Sequence, residues 1–564
     1  MYKIKNSFII VLTLVFTLVI SCKDLDEMNI NPNGVLPEQV DPNLLMPTII
    51  TSVAKTVVNL GYGDIAGVMQ HTQKDGWSGG HNDYNWDNSS KSWNGYYAIL
   101  SNNNALYSKS DELKLDFHKG VALVMRAYTF GLITDLWGDA PYSEALNGEL
   151  LGDNLKPVFD DQADIYAGIL ADLDSANTLL SKGESDYSGI NKDQDPLYGG
   201  KANKWRKFAN SLALRYYMRL SVKNPTLAGE GISNITDNPE DYPIITEVAD
   251  EANISYIGSS PDDSWPNNTV YDDSKSGSYF RTKMCATLVE TLQAIDDPRL
   301  AVWANKIEYR IEIVPALPDD KDDITDTENG VRYILQSVAD KYEENFGVPL
   351  DLDPEYVGIP PSLSSAPQYN LNPDLEQGVY NQHVSQLSDI YTKRSDPLLL
   401  SRMMSAAEVN FILAEAALSG WAPGAAKDYY EAGIKASLDA WGVGDDYDTY
   451  ILEPLVSYNG TLGQLIQQKW IASWTAAAEA WFDWRRTGLP VLQAGDLSNP
   501  NFNSAKREAL PLRFYYHYDD EIRLNPVNAT AAIDKLVPTD YNKNDSKNSA
   551  WSKMWLLQGT GNPY

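Results

Sequence analysis

Between Gln73 and Asn94 the chain sets Trp77, Tyr84 and Trp86 beside His81, Asp83 and Asn88. Aromatic rings offer flat apolar faces, and the neighbouring imidazole, carboxylate and amide groups offer hydrogen bonds at the ring edges. That combination suits a molecule with apolar CH faces and rings of hydroxyls, which is the chemistry of a sugar. Trp265, Tyr271 and Tyr279 would supply a second wall. Half-covering one tryptophan contributes about 2–3 kcal/mol, so several platforms are expected to act together. Peptides suit the same composition, and so do aromatics that merely fasten a loop to the body.

Other chemistries leave weaker traces. Paired carboxylates for glycoside hydrolysis cannot be singled out among 77 acidic residues. The five histidines include no HExxH and no pair at ligand spacing, so neither a metal nor another cofactor is expected. The acidic run from Asp319 to Glu328 lacks the pattern of a calcium loop and reads as a solvated segment. No nucleophile elbow and no phosphate loop leading into a helix is found. A binding protein without catalysis is therefore the first reading, and a glycosidase or peptidase hidden in the irregular half is the alternative of another class.

The N-terminus speaks to location. Lys3 and Lys5 precede an almost wholly apolar run from Phe8 to Ile20, too short to span a bilayer and typical of a secretory leader. Ser21 and Cys22 follow it, and a small residue before a cysteine there resembles a bacterial lipobox, with Cys22 as the lipidated first residue. Several acyl chains on that thiol would anchor stably where one would be marginal. Cys285 is the only other cysteine, so no intrachain disulfide survives lipidation. Lys23, Asp24, Asp26 and Glu27 resemble a surface-export signal, and Asn29 to Pro42 reads as a tether. No later run reads as a membrane span. Removing the leader takes the formal charge from −32 to −34, a field that repels phosphate backbones and argues against a nucleic-acid partner.

The elements that must position these residues are helices. Ser405 to Leu438 reads as a helix ending at Gly420 and a second one starting at Pro423, with Ala425, Tyr429, Ala432 and Ala436 on its inner face and Trp421 over the corner. Its length of about 34 residues is that of a tetratricopeptide unit. Further helices are expected over Leu44–Leu60, His118–Trp137, Asp161–Leu180, Lys204–Val222 and Lys283–Ala294, with one long aromatic helix from Leu462 to Arg486. Pro225 to Ser276 reads as loops, and Lys306 to Pro397 is the least helical stretch. The expected organisation is a signal peptide over 1–21, an anchor and tether over 22–43, and a body over 44–564. Within the body, helical repeats occupy about 44–222 and 401–490 and an irregular insertion occupies about 223–400.

Several segments, in order, resemble one family. They are Asn29–Gly34 (NINPNG), Arg126–Tyr142 (RAYTFGLITDLWGDAPY), Trp205–Leu220 (WRKFANSLALRYYMRL), Asp296–Leu300 (DDPRL), Glu408–Leu418 (EVNFILAEAAL) and Glu479–Gly488 (EAWFDWRRTG). With the lipobox and the closing Lys553–Trp555, the chain resembles the SusD/RagB-like lipoproteins of Bacteroidetes, in their second SusD-like branch. The resemblance implies a mainly α fold of four tetratricopeptide-like hairpins plus an irregular region. It also implies an outer-membrane, outward-facing lipoprotein that lids a SusC-like TonB-dependent transporter and captures oligosaccharides, or peptides on the RagB side. Binding residues would come from loops around the first repeat, without a residue-by-residue match. Asp135, Trp137 and Asp139 read as a structural corner.

Overall fold

The computed structural model describes residues 41–76, 78–266, 278–363, 366–373, 380–494, 508–542 and 545–564. Cys22, the tether up to residue 40, Trp77 and Tyr271 lie outside the described residues. The chain begins with α1 (Pro42–Gly61), whose start is set by Pro42 in the first turn and by Asp41, whose carboxylate accepts a bond from the Asn43 N–H at 2.9 Å. Met46, Ile49, Ile50, Val53, Ala54 and Val57 form its buried stripe. Contrary to the sequence reading, Pro42–Val68 is long and apolar enough to cross a bilayer by length and composition. The stripe is nonetheless spent on the protein core.

After the short helix α2 (Asp64–Val68) come two helical hairpins: α3 (Asn94–Leu113) with α4 (Asp116–Trp137), and α5 (Gln162–Leu179) with α6 (Ala202–Leu220). Helix α4 is buried on nearly every side and ends where Gly138 takes φ +95°. Next comes α7 (Pro225–Asp237), in a stretch read from the sequence as loops. Asn224 caps it by accepting a bond from the Leu227 N–H at 3.3 Å, and Ala228, Ile232 and Ile235 are buried. Its Asn and Pro are therefore a helix start and not a loop signal.

The middle of the chain carries α8 (Ala286–Ala294), α9 (Gln336–Phe346) and short strands. Strand β1 (Thr72–Lys74) pairs antiparallel with β3 (Thr282–Met284), and β2 (Ala252–Ser255) pairs with β7 (Leu400–Met404). Strand β6 (Val331–Leu335) lies between β4 (Arg310–Val314), parallel to it, and β5 (Asp323–Asp326), antiparallel.

Two more hairpins follow: α10 (Ala406–Leu418) with α11 (Ala426–Ala440), and α12 (Leu462–Ala472) with α13 (Ala477–Thr487); α14 (Pro526–Asp534) lies near the C-terminus. Gly420 takes φ +74° as expected, but Pro423 stays in the turn and α11 starts three residues later. Its inner face is Tyr430, Gly433, Ile434, Ala436, Ser437 and Leu438; Ala436 is buried as expected, Tyr429 is half-buried, and Ala425 and Ala432 are exposed. Close approach is the reason: a Cβ on Gly433 would lie 2.9 Å from the Phe411 ring. Trp421 packs on Gly229 of α7. The single helix expected over Leu462–Arg486 is two, broken where Thr475 takes φ +67°.

A buried charge network ties the hairpins together. Arg215 on α6 meets Glu408 on α10 at 2.6 Å, and Arg219 meets both Asp135 on α4 and Glu479 on α13 at 2.5 Å. Arg486 on α13 joins Glu415 on α10 and the nearby Asp483. Such pairs are costly to desolvate, and removing one partner strands the other in the interior. Asp135 belongs to this network, Trp137 is fully buried, and the Asp139 carboxylate accepts bonds from the Gln162 N–H and Lys535, so all three make up a structural corner.

Candidate functional site

The loop that joins α2 to α3 is built around its own aromatics. Trp86 is buried edge-on against Trp481 and Phe514, with ring centroids 5.9 and 5.2 Å away, and its indole N–H bonds to the Gly80 carbonyl at 2.8 Å. Tyr84 is buried at φ +51°, and burial pushes its phenol well up. His81 is fully buried, 3.0 Å from the Thr72 hydroxyl, and burial pushes its imidazole down to about 3. Gly67 makes room for that ring, since a Cβ there would sit 2.5 Å from it. Trp265 is enclosed by Tyr62, Tyr256 and Tyr391, and Tyr279 is buried with its hydroxyl bonded to the Leu387 carbonyl at 2.6 Å.

The expectation that Tyr84, Trp86, Trp265 and Tyr279 form exposed platforms, with His81 as a polar neighbour, is thus corrected. Trp86, Trp265 and Tyr279 find partners far away in sequence and fasten the loop and the middle of the chain to the body, while His81 packs within the loop on Thr72 and Gly67. Of the remaining candidates, Asp83 is half-buried and Asn88 is exposed. The Asn88 carbonyl accepts a bond from the Tyr518 N–H at 2.7 Å.

The end of the same loop does line an open cavity of about 310 Å³. One wall is the outer edge of α1, with Thr56, Asn59 and Leu60, followed by Asp64 and Ile65 of α2. Opposite stand Ser90, Lys91 and Ser92 with Tyr96 from the first turn of α3, over a floor of Trp137 and Phe514. The Asp87 carboxylate fixes this wall by accepting bonds from the Ser89 N–H at 2.8 Å and the Ser90 hydroxyl at 3.0 Å. The wall ends at Trp93, whose N–H bonds to Glu521 at 3.2 Å.

Lys91 reaches across the cavity to Asp64 at 2.6 Å and lies 5.7 Å from the Phe514 ring. Burial alone would raise the Asp64 carboxyl, but the Lys91 ammonium holds it below its ordinary value. Lys74 is close enough to couple to both, and burial lowers its own ammonium. Tyr96 stands edge-on to Trp137 at 5.5 Å, and burial raises its phenol.

The cavity therefore presents hydroxyls, an exposed amide and an ion pair above an aromatic floor. Its volume is at the small end of ligand pockets, enough for part of a chain-like ligand that enters from the open side. Residue type alone does not reveal Asn59, Asp64, Lys91 or Tyr96: three of them lie outside the polar aromatic loop, and Lys91 within it is not aromatic.

Helical hairpins stacked around a charged core, with loops that shape an open cavity, define a class of scaffold: a helical-repeat protein. The chain belongs to the second SusD-like family, described as starch-binding and associating with the outer membrane, whose model matches residues 34–312 and 354–517. Solved SusD homologues share the fold. One from Bacteroides fragilis is 21% identical over 92% of this chain and 99% of its own, with a TM-score of 0.65. One from Bacteroides uniformis is 21% identical over 91% and 99%, with a TM-score of 0.65. A chitin-binding SusD homologue from Flavobacterium johnsoniae is 20% identical over 91% and 99%, with a TM-score of 0.64. Among curated proteins, none matches this sequence.

Proposed function

We propose that this protein is a surface lipoprotein, anchored through Cys22, that captures oligosaccharides at the outer membrane and delivers them to a SusC-like TonB-dependent transporter without cleaving them. The observation that carries this reading is the cavity between α1 and Ser90–Ser92. Its hydroxyl, amide and ion-pair groups match sugar hydroxyls, and the half-buried Tyr96 offers an apolar face on which a sugar can stack. Membership in a starch-binding family and likeness in fold to a chitin-binding homologue support a glycan cargo. Asp83, Asn88, Trp77 and Tyr271 remain proposed ligand contacts.

The chemistry of this cavity supports binding without turnover. Glycoside hydrolysis needs two carboxyl groups flanking the scissile bond, whereas the cavity lining contains one, Asp64, already paired with Lys91. The test uses soluble protein beginning at Lys23, incubated with a panel of α- and β-linked oligosaccharides and with a peptide digest. Binding is read by affinity electrophoresis and products by chromatography. Retention by a glycan with no new products is expected. Retention by peptides alone would move the cargo to the RagB side, and release of shorter sugars would make the protein an enzyme.

A further inference from the structure

Two ammoniums serve the one carboxylate of the cavity. Asp64 receives Lys91 from the opposite wall at 2.6 Å, and Lys74, the last residue of β1, couples to the same carboxylate. His81 also stands near, 3.9 Å from Asp64, but it is buried and neutral and adds no charge. Asn82 clamps the backbone of Lys74, accepting its N–H at 2.9 Å and donating to its carbonyl at 2.7 Å. Among the described residues the Lys74 ammonium itself makes neither a hydrogen bond nor an ion pair, although it is half-buried and is repelled by Lys91 and Arg281. A cation held part-way out of water beside like charges costs the fold stability, which is a mark of functional positions.

Lys91 is therefore free to change partners. Its pair with Asp64 is partly open to water, the two side chains being 31% and 26% exposed, and such a pair holds weakly. When Lys91 leaves, Asp64 still faces Lys74 and is not stranded, which is the penalty that locks a buried pair in place. The Lys91 ammonium already lies over the cavity, 5.7 Å from the Phe514 ring of its floor. Among the described residues that line the cavity no other is charged, and Asp87, outside the lining, is engaged by the Ser89 and Ser90 hydroxyls at 2.7 and 3.0 Å. The spot is thus positive although the mature chain carries −34 by the formal count, and at physiological ionic strength exposed charges beyond about 8 Å are largely screened. We infer that the cavity selects oligosaccharides bearing an acid group, a sugar carboxylate or a sulfate ester, which Lys91 binds after leaving Asp64 to Lys74. The inference rests on the glycan reading above and adds the chemical class of the cargo. The bond formed is charge-assisted, shorter and stronger than the neutral bonds that the hydroxyls and the Asn59 amide offer.

The experiment uses the full lipoprotein, purified in detergent and titrated calorimetrically with matched pairs of ligands. One pair is an α-linked galacturonate trimer and its methyl ester; the other is a sulfated galactose oligomer and its desulfated form. At least ten-fold tighter binding of the charged member is expected in one pair or both, and the pair that shows it names the acid group as carboxylate or sulfate. The preference should shrink as sodium chloride is raised. Asp64→Asn removes the internal partner of Lys91 and should strengthen binding of the charged member at least three-fold, a gain that misfolding cannot imitate. Lys74→Met should narrow the preference, because Lys91 is then the only ammonium left to Asp64, and Lys91→Met should abolish it. Equal or weaker binding of the charged member in both pairs, or an undiminished preference in Lys91→Met, would overturn the selection of acidic cargo. Unchanged or weaker binding of the charged member by Asp64→Asn would overturn the exchange of partners. Binding of no oligosaccharide, charged or neutral, would instead overturn the glycan reading itself.

Discussion

Glu521 is the ionisable group whose titration bears most directly on the cavity wall. It is buried, with one carboxyl oxygen accepting the Trp93 N–H at 3.2 Å and the other the His517 N–H at 2.7 Å. Burial outweighs these bonds and pushes the carboxyl from 4.5 up to about 8. An unfolded chain would release that proton near pH 4.5, so between there and pH 8 the native state holds more protons than the unfolded one. Stability therefore falls as pH rises across this window and is level above it. His71 and His81, buried and neutral, are pushed down to about 3 and act below pH 6.5, where stability falls on acidification.

From pH 6.5 to 8 the Glu521 contribution thus stands clear of the histidines and amounts to about 2 kcal/mol, at about 1.4 kcal/mol per unit. The assay is urea unfolding of the wild type and Glu521→Gln at both ends of that range. Glutamine keeps one acceptor and turns an amide N–H₂ toward the other backbone N–H, a fixed loss of about 1 kcal/mol that does not vary with pH. The wild type should lose about 2 kcal/mol relative to the variant as pH rises from 6.5 to 8. Parallel pH profiles for the two proteins would refute the reasoning.

Two further perturbations probe the scaffold. Gly131→Ala on α4 would set a Cβ 1.9 Å from the Tyr216 hydroxyl, inside a core that cannot open, so a cost of about 1–3 kcal/mol is expected and a lowered thermal midpoint would show it. Arg486→Met leaves Glu415 facing Asp483 with their shared cation gone, which should cost about 3–5 kcal/mol in denaturant unfolding, far more than an exposed pair such as Lys435–Asp439.

The helical scaffold was legible where spacing and end signals agree. The 3.6-residue stripe and Gly138 announced α4, and α5 and α6 fell within two residues of expectation. Helix α7 was hidden because Asn224 and Pro225 were weighed as loop residues when they are a cap and a first turn. The break between α12 and α13 carries neither Gly nor Pro; it rests on Thr475 in a left-handed conformation that only tertiary packing sustains. The site was legible as a region and not as residues. Composition cannot separate a ring that waits for ligand from one that plugs a loop. Trp86 was decided by Trp481 and Phe514, nearly four hundred or more positions away. Lys91 and Tyr96 were ordinary in sequence and became distinctive only when α1 and the C-terminal segment closed around them.

The proposed seat of the glycan is the cavity between α1 and Ser90–Ser92. Asn59 is exposed on its rim, so Asn59→Trp fills the space without entering the core. Calorimetric titration of the wild type and this variant with the oligosaccharide that the wild type retains is the direct measurement, with unfolding midpoints checked in parallel. Saturable binding by the wild type and at least a ten-fold loss in the variant at unchanged stability are expected. Equal affinity in the two proteins would contradict this seat and place the ligand elsewhere on the molecule.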